Sequence, residues 1–311
     1  SGFALTANND TMGEKGEFYI HNFPAHSARA DRIRELLSQK KKFSVEDFCS
    51  MQLDLYDLRA HDVLPDLIKI LQASKDKEVR LASKLLDEWD CCASAESRGA
   101  CLYYPFLDRF WQRKYMYRVL KDELINLLPL GAPGLNRFDI SSFMNPETNW
   151  IDHEELLKAT IQEEMRKVVD RVKLSLGSDY SKWRWGNLHK IEFRHRLNNY
   201  PTWEKLKKGP DEIGGSPTTL RMAVHMGKGP GKAEENEVPC RVFHGPAFRL
   251  VVDLADPQHA KFVIAGGNGG RADSNFSMNQ YATWLKGEYF TLNLKKEEID
   301  EHTVWQFEKI H

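Results

Sequence analysis

Residues 1–13 read SGFALTANNDTMG. The run Phe3–Ala7 is compatible with a short strand, and it stops abruptly at the pair Asn8–Asn9. Asparagines ahead of an Asp and a Gly make turn chemistry, because their side chains bond nearby backbone and tolerate left-handed conformations. A soluble chain rarely starts with an apolar segment broken at once by two amides. The expectation is therefore that this stretch belongs to the middle of a longer protein. Taken by themselves, Asn8 and Asn9 are turn residues.

Outward from this stretch the period of the apolar residues changes. After a second short β-compatible run, Phe18–Ile20, the pattern becomes helical. Ala30, Ile33, Leu36 and Leu37 share one face of a helix. Ser44, with Asp47 three residues on, forms a capping box that opens a second helix, striped by Phe48, Met51, Leu55 and Leu58. LPDLIKIL makes a third, and Val79, Ala82, Leu86 and Trp89 stripe a fourth. More helix follows around 100–128. Leu157, Ile161, Met165, Val168 and Val172 mark a long helix near 152–175. All these stripes read as core.

Residues 176–212 look irregular, and beyond them the period falls to two. Leu220, Met222, Val224 and Met226 alternate with Thr219, Arg221 and His225, as in a half-buried strand. FRLVVDL and KFVIAGG are two more strands joined by a short turn, and YFTLNL and TVWQFEKI complete a β-rich end. The predicted organisation is α+β in three stretches. Residues 1–28 are strand and loop, 29–212 are mainly helical, and 213–311 are β-rich.

Composition excludes some classes. The 311 residues carry 44 Lys+Arg against 45 Asp+Glu, a formal net charge of −1, so no global attraction to polyanions exists. No apolar run is long enough to span a membrane as a helix. Neither nucleic acid nor membrane is expected as a partner. The five cysteines cannot all pair within the chain, and the adjacent Cys91–Cys92 fits neither a redox nor a zinc spacing. Free thiols, a Cys91–Cys101 disulfide and a Cys92–Cys101 disulfide all remain open.

Several motifs fail on context. Gly267, Gly269 and Ala272 match a dinucleotide-binding spacing after a strand, but no helical stripe follows at once. GKGPGK, residues 227–232, has Met226 where a phosphate loop needs its first glycine, and Ala233 where it needs Ser or Thr. The basic and aromatic residues of KWRWGNLHKIEFRHR read as a local packing segment, because a strand-binding protein presents a broader basic surface. His189 and His195 lack the spacing of a helical zinc pair and read as structural.

An ordered set of segments carries more information than any one motif. SGFALTANND, HSARADRIRELL, FSVEDFCSMQLDLYDLRA, LLDEWD, WRWGNLHKIEFRH, GPAFRLVVDLAD, FVIAGGNGG and NQYATWLKGEYF follow one another along nearly the whole chain. Together they resemble the penicillin acylase family of N-terminal-nucleophile hydrolases, in the C-terminal part of its β subunit. The resemblance implies part of an αββα sandwich with a large inserted helical region.

It also implies a chemistry. Family members are zymogens that cleave themselves. The freed N-terminal serine supplies the nucleophilic hydroxyl, and its own α-amine supplies the base that activates it. The implied activity is hydrolysis of a linear N-acyl amide, penicillins and acyl-homoserine lactones included, through an acyl-serine. Ser1 is not that nucleophile by this reading, since SGFA matches an internal segment well downstream of it. Asn8 matches the asparagine whose side-chain amide donates to the tetrahedral oxyanion, a role suited to a neutral, fixed N–H donor. Arg29 matches an arginine that orients that asparagine. The segment SNFSMNQY departs from the family's His and Asp pattern, leaving that region without an assigned role.

The resemblance assigns no cofactor to this chain. Calcium in the intact enzyme would be held mainly by residues upstream, with Glu17 near such a site. The implied partners are the upstream α subunit, the N-terminal part of the β subunit and a small N-acyl substrate, in a periplasmic or secreted protein that includes antibiotic-processing enzymes. A non-catalytic partner-binding module of the same ancestry is the alternative.

Overall fold

The computed structural model describes residues 2–11, 25–108, 154–195, 200–204, 206–225, 240–271 and 273–292, with Tyr115, Arg118 and Val119 between. Phe18–Ile20, TVWQFEKI, Ser1, Glu17, Met226, Ala272, the GKGPGK loop and most of 109–153 lie outside the described residues.

Among the described residues the helices α1 Ala28–Ser38, α2 Val45–Met51, α3 Leu58–Gln72, α4 Lys77–Asp87, α5 Ala100–Asp108 and α6 Glu154–Leu176 precede the strands. The capping box at Ser44 is formed. The Ser44 hydroxyl accepts from the Asp47 amide at 3.2 Å, and Asp47 accepts from the Ser44 amide at 2.7 Å. Asp57 caps α3 and Asp76 caps α4, each accepting from amides of the first turn. Ala60, Val63, Leu67 and Leu71 of α3 meet Val79, Ala82 and Leu86 of α4 and Leu157, Ile161, Met165, Val168 and Val172 of α6 in one buried cluster. The long stripe predicted near 152–175 is thus core, as its spacing requires.

Two predicted helical features differ. The stripe Phe48, Met51, Leu55, Leu58 does not lie on one helix. Helix α2 ends at Met51, and Leu58 opens α3 behind its own cap Asp57. A side-chain cap in extended conformation starts a new helix and so breaks the old period. No residue of α2 is buried, and Phe48 is 40% exposed, so this stripe is not core. In α1 only Ala28 and Ala30 are buried, while Ile33 and Leu37 are half-buried.

The stretch read as irregular contains regular elements. A short turn of helix, α7 Trp185–Leu188, leads into β1 Lys190–Phe193. Helix α8 Pro201–Glu204 precedes β2 Lys208–Glu212. Trp183, Trp185 and His189 are fully buried there. Elements this short carry too few residues for a period to emerge. Strands β3 Val224–His225 and β4 Arg241–His244 complete a sheet in the order β2-β1-β4-β3, with β1 and β4 parallel and the outer pairs antiparallel. Strands β5 Phe248–Val251, β6 Lys261–Ile264 and β7 Phe290–Thr291 form a second, antiparallel sheet, and α9 Tyr281–Lys286 packs beside β6.

The predicted half-buried strand at 217–226 shrinks to β3, and the side it buries is not the apolar one. Thr219, Ala223 and His225 are buried, while Leu220, Met222 and Val224 are half-buried. A tight turn uses up the first half of the segment. The Thr219 hydroxyl accepts from the Ser216 amide at 2.8 Å and donates to the Arg221 carbonyl at 2.9 Å. Gly215 enters this turn at φ +107, and a Cβ there would stand 2.2 Å from the Arg221 carbonyl oxygen, so only glycine fits. Residues 2–6 are likewise not a strand; the sole backbone pairing described there is the bridge Asn9–Ala25. All five cysteines are free thiols, so neither open disulfide is formed.

A candidate oxyanion site lined by Asn8 and Arg29

Asn8 adopts φ +64, a left-handed conformation that asparagine tolerates better than most residues. Its backbone is pinned on both sides. The Ala25 amide donates to the Asn8 carbonyl at 2.6 Å, and the Ala7 amide donates to the Asn9 side-chain oxygen at 3.1 Å. Asn9 is buried and its own amide donates to the Asp10 carbonyl at 2.9 Å, so Asn9 holds the turn while Asn8 is exposed.

Arg29, at the start of α1, reaches back to this turn. One Nη donates to the Ala7 carbonyl at 2.8 Å and to the Asn8 Oδ1 at 3.4 Å. A guanidinium can only donate, so the atom of Asn8 that faces it must be the oxygen. The Asn8 Nδ2–H donors are therefore left for something else. Burial lowers the Arg29 guanidinium from its ordinary value. The structure thus brings together the two residues singled out in the sequence, 21 positions apart.

Both line a cavity of about 390 Å³, with Ile33 and Leu37 of α1, Phe48 and Met51 of α2, and Phe248 and Arg249 of β5 among its walls. The walls are fixed by polar ties. Arg32 makes a two-pronged pair with Asp54, at 3.1 and 2.8 Å, and lies 4.5 Å over the Tyr56 ring, which holds α1 to the turn after α2. Gln52 donates to the Leu250 carbonyl at 3.1 Å and accepts from the Tyr289 hydroxyl at 2.9 Å, which ties α2 to β5. The half-buried stripe of α1 and the exposed stripe of α2 are apolar because they face this cavity.

The other sequence candidates have structural roles. The two ring nitrogens of His189 face the Ile213 carbonyl at 2.6 Å and the Ala223 carbonyl at 3.2 Å, and burial pushes its pKa down to about 3. His195 stacks on Trp203 at 4.0 Å. Arg184 pairs with Glu96 and Glu212 across the packing segment. In SNFSMNQY the buried Gln280 accepts from the Ile264 amide at 2.9 Å, which holds the glycine loop after β6. Among the described residues no group of three or more His, Cys, Asp or Glu could hold a metal ion. No described helix is long and apolar enough to cross a membrane.

Arg249, Gln52 and the apolar wall were not singled out in the sequence. A signal existed for Arg249, since it occupies the phase of a strand otherwise filled by buried Val251.

Comparison with known proteins agrees with the resemblance. The acyl-homoserine lactone acylase QuiP of Pseudomonas syringae pv. tomato is 24% identical over 331 aligned positions, covering 96% of this chain and 38% of that protein. QuiP of Pseudomonas aeruginosa is 23% identical, again over 96% of this chain and 38% of that protein. The chain therefore spans well under half the length of these curated relatives. A thermostable penicillin G acylase from Alcaligenes faecalis superposes with a TM-score of 0.53 at 12% identity, over 98% of this chain and 57% of that one, which is a likeness of mixed α+β fold. The penicillin amidase family matches residues 1–301, and the chain belongs to that family.

Proposed function

We propose that this chain is part of an amidohydrolase that cleaves an N-acyl amide through an acyl-serine, with the nucleophile supplied from outside it. Asn8 donates to the oxyanion and Arg29 orients Asn8. The observation that carries the reading is the Arg29–Asn8 contact. It fixes the amide with its oxygen inward, and it presents a neutral N–H donor at a cavity with apolar walls. Such a donor costs no reorganisation when the carbonyl oxygen gains charge. The apolar walls suit the hydrocarbon part of an acyl group. The relatives' names, acyl-homoserine lactone acylase and penicillin G acylase, support the same class of bond.

The upstream α subunit and the N-terminal part of the β subunit are the proposed partners, with any calcium held there. The second sheet supports this. Leu250 is 40% exposed on β5, with Phe290 of β7 and Val252 exposed on the same sheet region, an apolar surface suited to further chain.

The test is Asn8→Ala in the complete mature enzyme. The bond to the oxyanion strengthens only as charge develops, so kcat should fall on the order of 10²–10³-fold with KM little changed. Asn9→Ala is the control and acts through turn stability alone. Near-normal kcat in mature Asn8→Ala would refute the assignment.

A further inference from the structure

Helix α2 supplies Phe48 and Met51 to the cavity wall, yet none of its own residues is buried. Its neighbour α3 buries Leu64, Leu67 and Leu71 among others. Packing of an apolar face gives most helices their stability, and a helix shorter than about 12–15 residues is marginal without it. With 7 residues, α2 stands instead on local devices. It has the capping box at Ser44, an ion pair of Lys40 with Asp47 at 2.5 Å, and the tilted rings of Phe43 and Phe48 with centres 5.7 Å apart. Each of these ties lies within residues 40–48.

The returning end of the segment is anchored differently. Gln52 donates to the Leu250 carbonyl at 3.1 Å, and the Tyr289 hydroxyl donates to the Gln52 side-chain oxygen at 2.9 Å. The Asp54 carbonyl accepts from the Arg221 amide at 3.0 Å. The two-pronged Arg32–Asp54 pair ties this end to α1, the helix from which the segment departs. Residues 39–53 are therefore an excursion whose two feet are joined, the form of a compact surface loop. A segment fixed at its feet, with few buried contacts along its length, belongs to the part of a fold that opens locally.

The apolar side of α2 faces the cavity with Phe48 still 40% exposed, across from the half-buried Ile33 and Leu37 of α1. A hydrocarbon group between the two helices gives both sides an apolar partner and removes that surface from water. We propose that residues 39–53 form a strap that closes over the hydrocarbon part of the ligand, α2 pivoting on the anchored end at 52–54 so that Phe48 and Met51 come to rest on it; this rests on the acyl-amide reading above. Closure of this kind also keeps water from the neighbouring Asn8 amide, where a donor acts more strongly on developing charge.

The test is hydrogen exchange read by mass spectrometry in the complete protein carrying Asn8→Ala, in which turnover is slow. The probe is N-octanoylglycinamide, and calorimetry measures its binding. Without probe, the amides of residues 48–52 should exchange at least about a hundredfold faster than those of 64–71 in α3. At saturation, protection of 48–52 should rise about tenfold or more while 64–71 stay as they were. Phe48→Ala, its fold verified by circular dichroism, should lose most of that gain and bind the probe about fivefold more weakly or worse. Binding that leaves 48–52 unchanged would overturn the strap, as would a 48–52 segment already as protected as α3 without probe. Turnover of the same probe by the parent enzyme is measured separately. Protection of 48–52 with no turnover would sink the hydrolase reading and leave the strap standing; turnover with no protection would do the reverse, and a probe that does not bind would remove both.

Discussion

Replacing Asp57 by alanine should destabilise the protein by about 2–4 kcal/mol, and the structure shows where that figure comes from. The Asp57 side chain is fully buried. It caps α3 by accepting from the Ala60 amide at 3.1 Å. It also accepts from the Tyr104 hydroxyl at 2.9 Å, from the Ser216 hydroxyl at 3.1 Å and from the Thr218 hydroxyl at 2.5 Å. Among the described residues no Lys or Arg is paired with it, so these donors are its partners. Loss of the cap costs about 1 kcal/mol. The buried Tyr104 hydroxyl left without its acceptor costs about 1–3 kcal/mol more. The Ser216 and Thr218 hydroxyls stand 3.1 Å apart and can satisfy one another, so they add little. Asp57→Asn keeps the cap oxygen and the shape and should cost roughly half as much.

Urea unfolding of the parent, Asp57→Ala, Asp57→Asn and Tyr104→Phe gives the numbers. The double mutant supplies the sharper readout. Tyr104→Phe should cost about 1 kcal/mol in the parent but should recover much of the roughly 1–3 kcal/mol of the stranded hydroxyl once Asp57 is alanine, because the two share one bond. A fully additive double mutant, or an Asp57→Ala protein within about 1 kcal/mol of the parent, would show that the carboxylate does not hold α3 to the Ser216–Thr219 turn. That turn leads directly to Leu220 in the cavity wall, so Asp57 belongs to the scaffold of the site.

Two further outcomes follow from the same geometry. Arg29→Met should lower kcat about tenfold or more with KM nearly unchanged, because Asn8 loses its orienting donor, and Arg29→Lys should restore part of the loss while lacking the planar fork; a change confined to KM would place Arg29 in substrate binding instead. His189, pushed down to about 3 by burial, is neutral in the folded state, whereas the unfolded chain takes up a proton near pH 6.5. A depressed folded-state pKa gives stability that is present above 6.5 and is lost as pH falls toward 3, at up to about 1.4 kcal/mol per pH unit. Urea midpoints of the parent should therefore drop more steeply over that window than those of His189→Gln, and parallel curves would exclude burial of a neutral ring.

The helices were legible where a long stripe meets one continuous core. Leu157 to Val172 recurs at helical spacing over four turns, and every member is buried. Caps were legible too, because Ser44 and Asp47 act within three residues of each other. Elements of two to five residues, such as β3 or α7, were not, since their pairing partners lie far along the chain. The parallel contact of β1 with β4 joins residues 190 and 241 and leaves no local trace. Asn8 and Arg29 were named through resemblance alone. Their own residue types read as a turn and a solvated helix start.

The places where polarity and burial disagree are the informative ones. In β5, Phe248 and Leu250 are exposed while Arg249 between them is buried, the reverse of what alternation would assign. In α2, Phe48 and Met51 stripe a helix with no buried residue. An inverted pattern costs stability on both counts, apolar surface left in water and charge taken from it. Some of these inversions meet at one place. Phe48, Met51, Phe248 and Arg249 line the same cavity as Asn8 and Arg29. Apolar side chains turned toward a cavity suit a ligand with an apolar part, which would cover them. Occupancy should then stabilise the fold by RT ln(1 + [L]/Kd), about 2.7 kcal/mol at a hundredfold excess over Kd. A ligand that raises the melting temperature of the parent but not of Arg249→Gln would join the two inversions in one site, and equal shifts in both proteins would separate them.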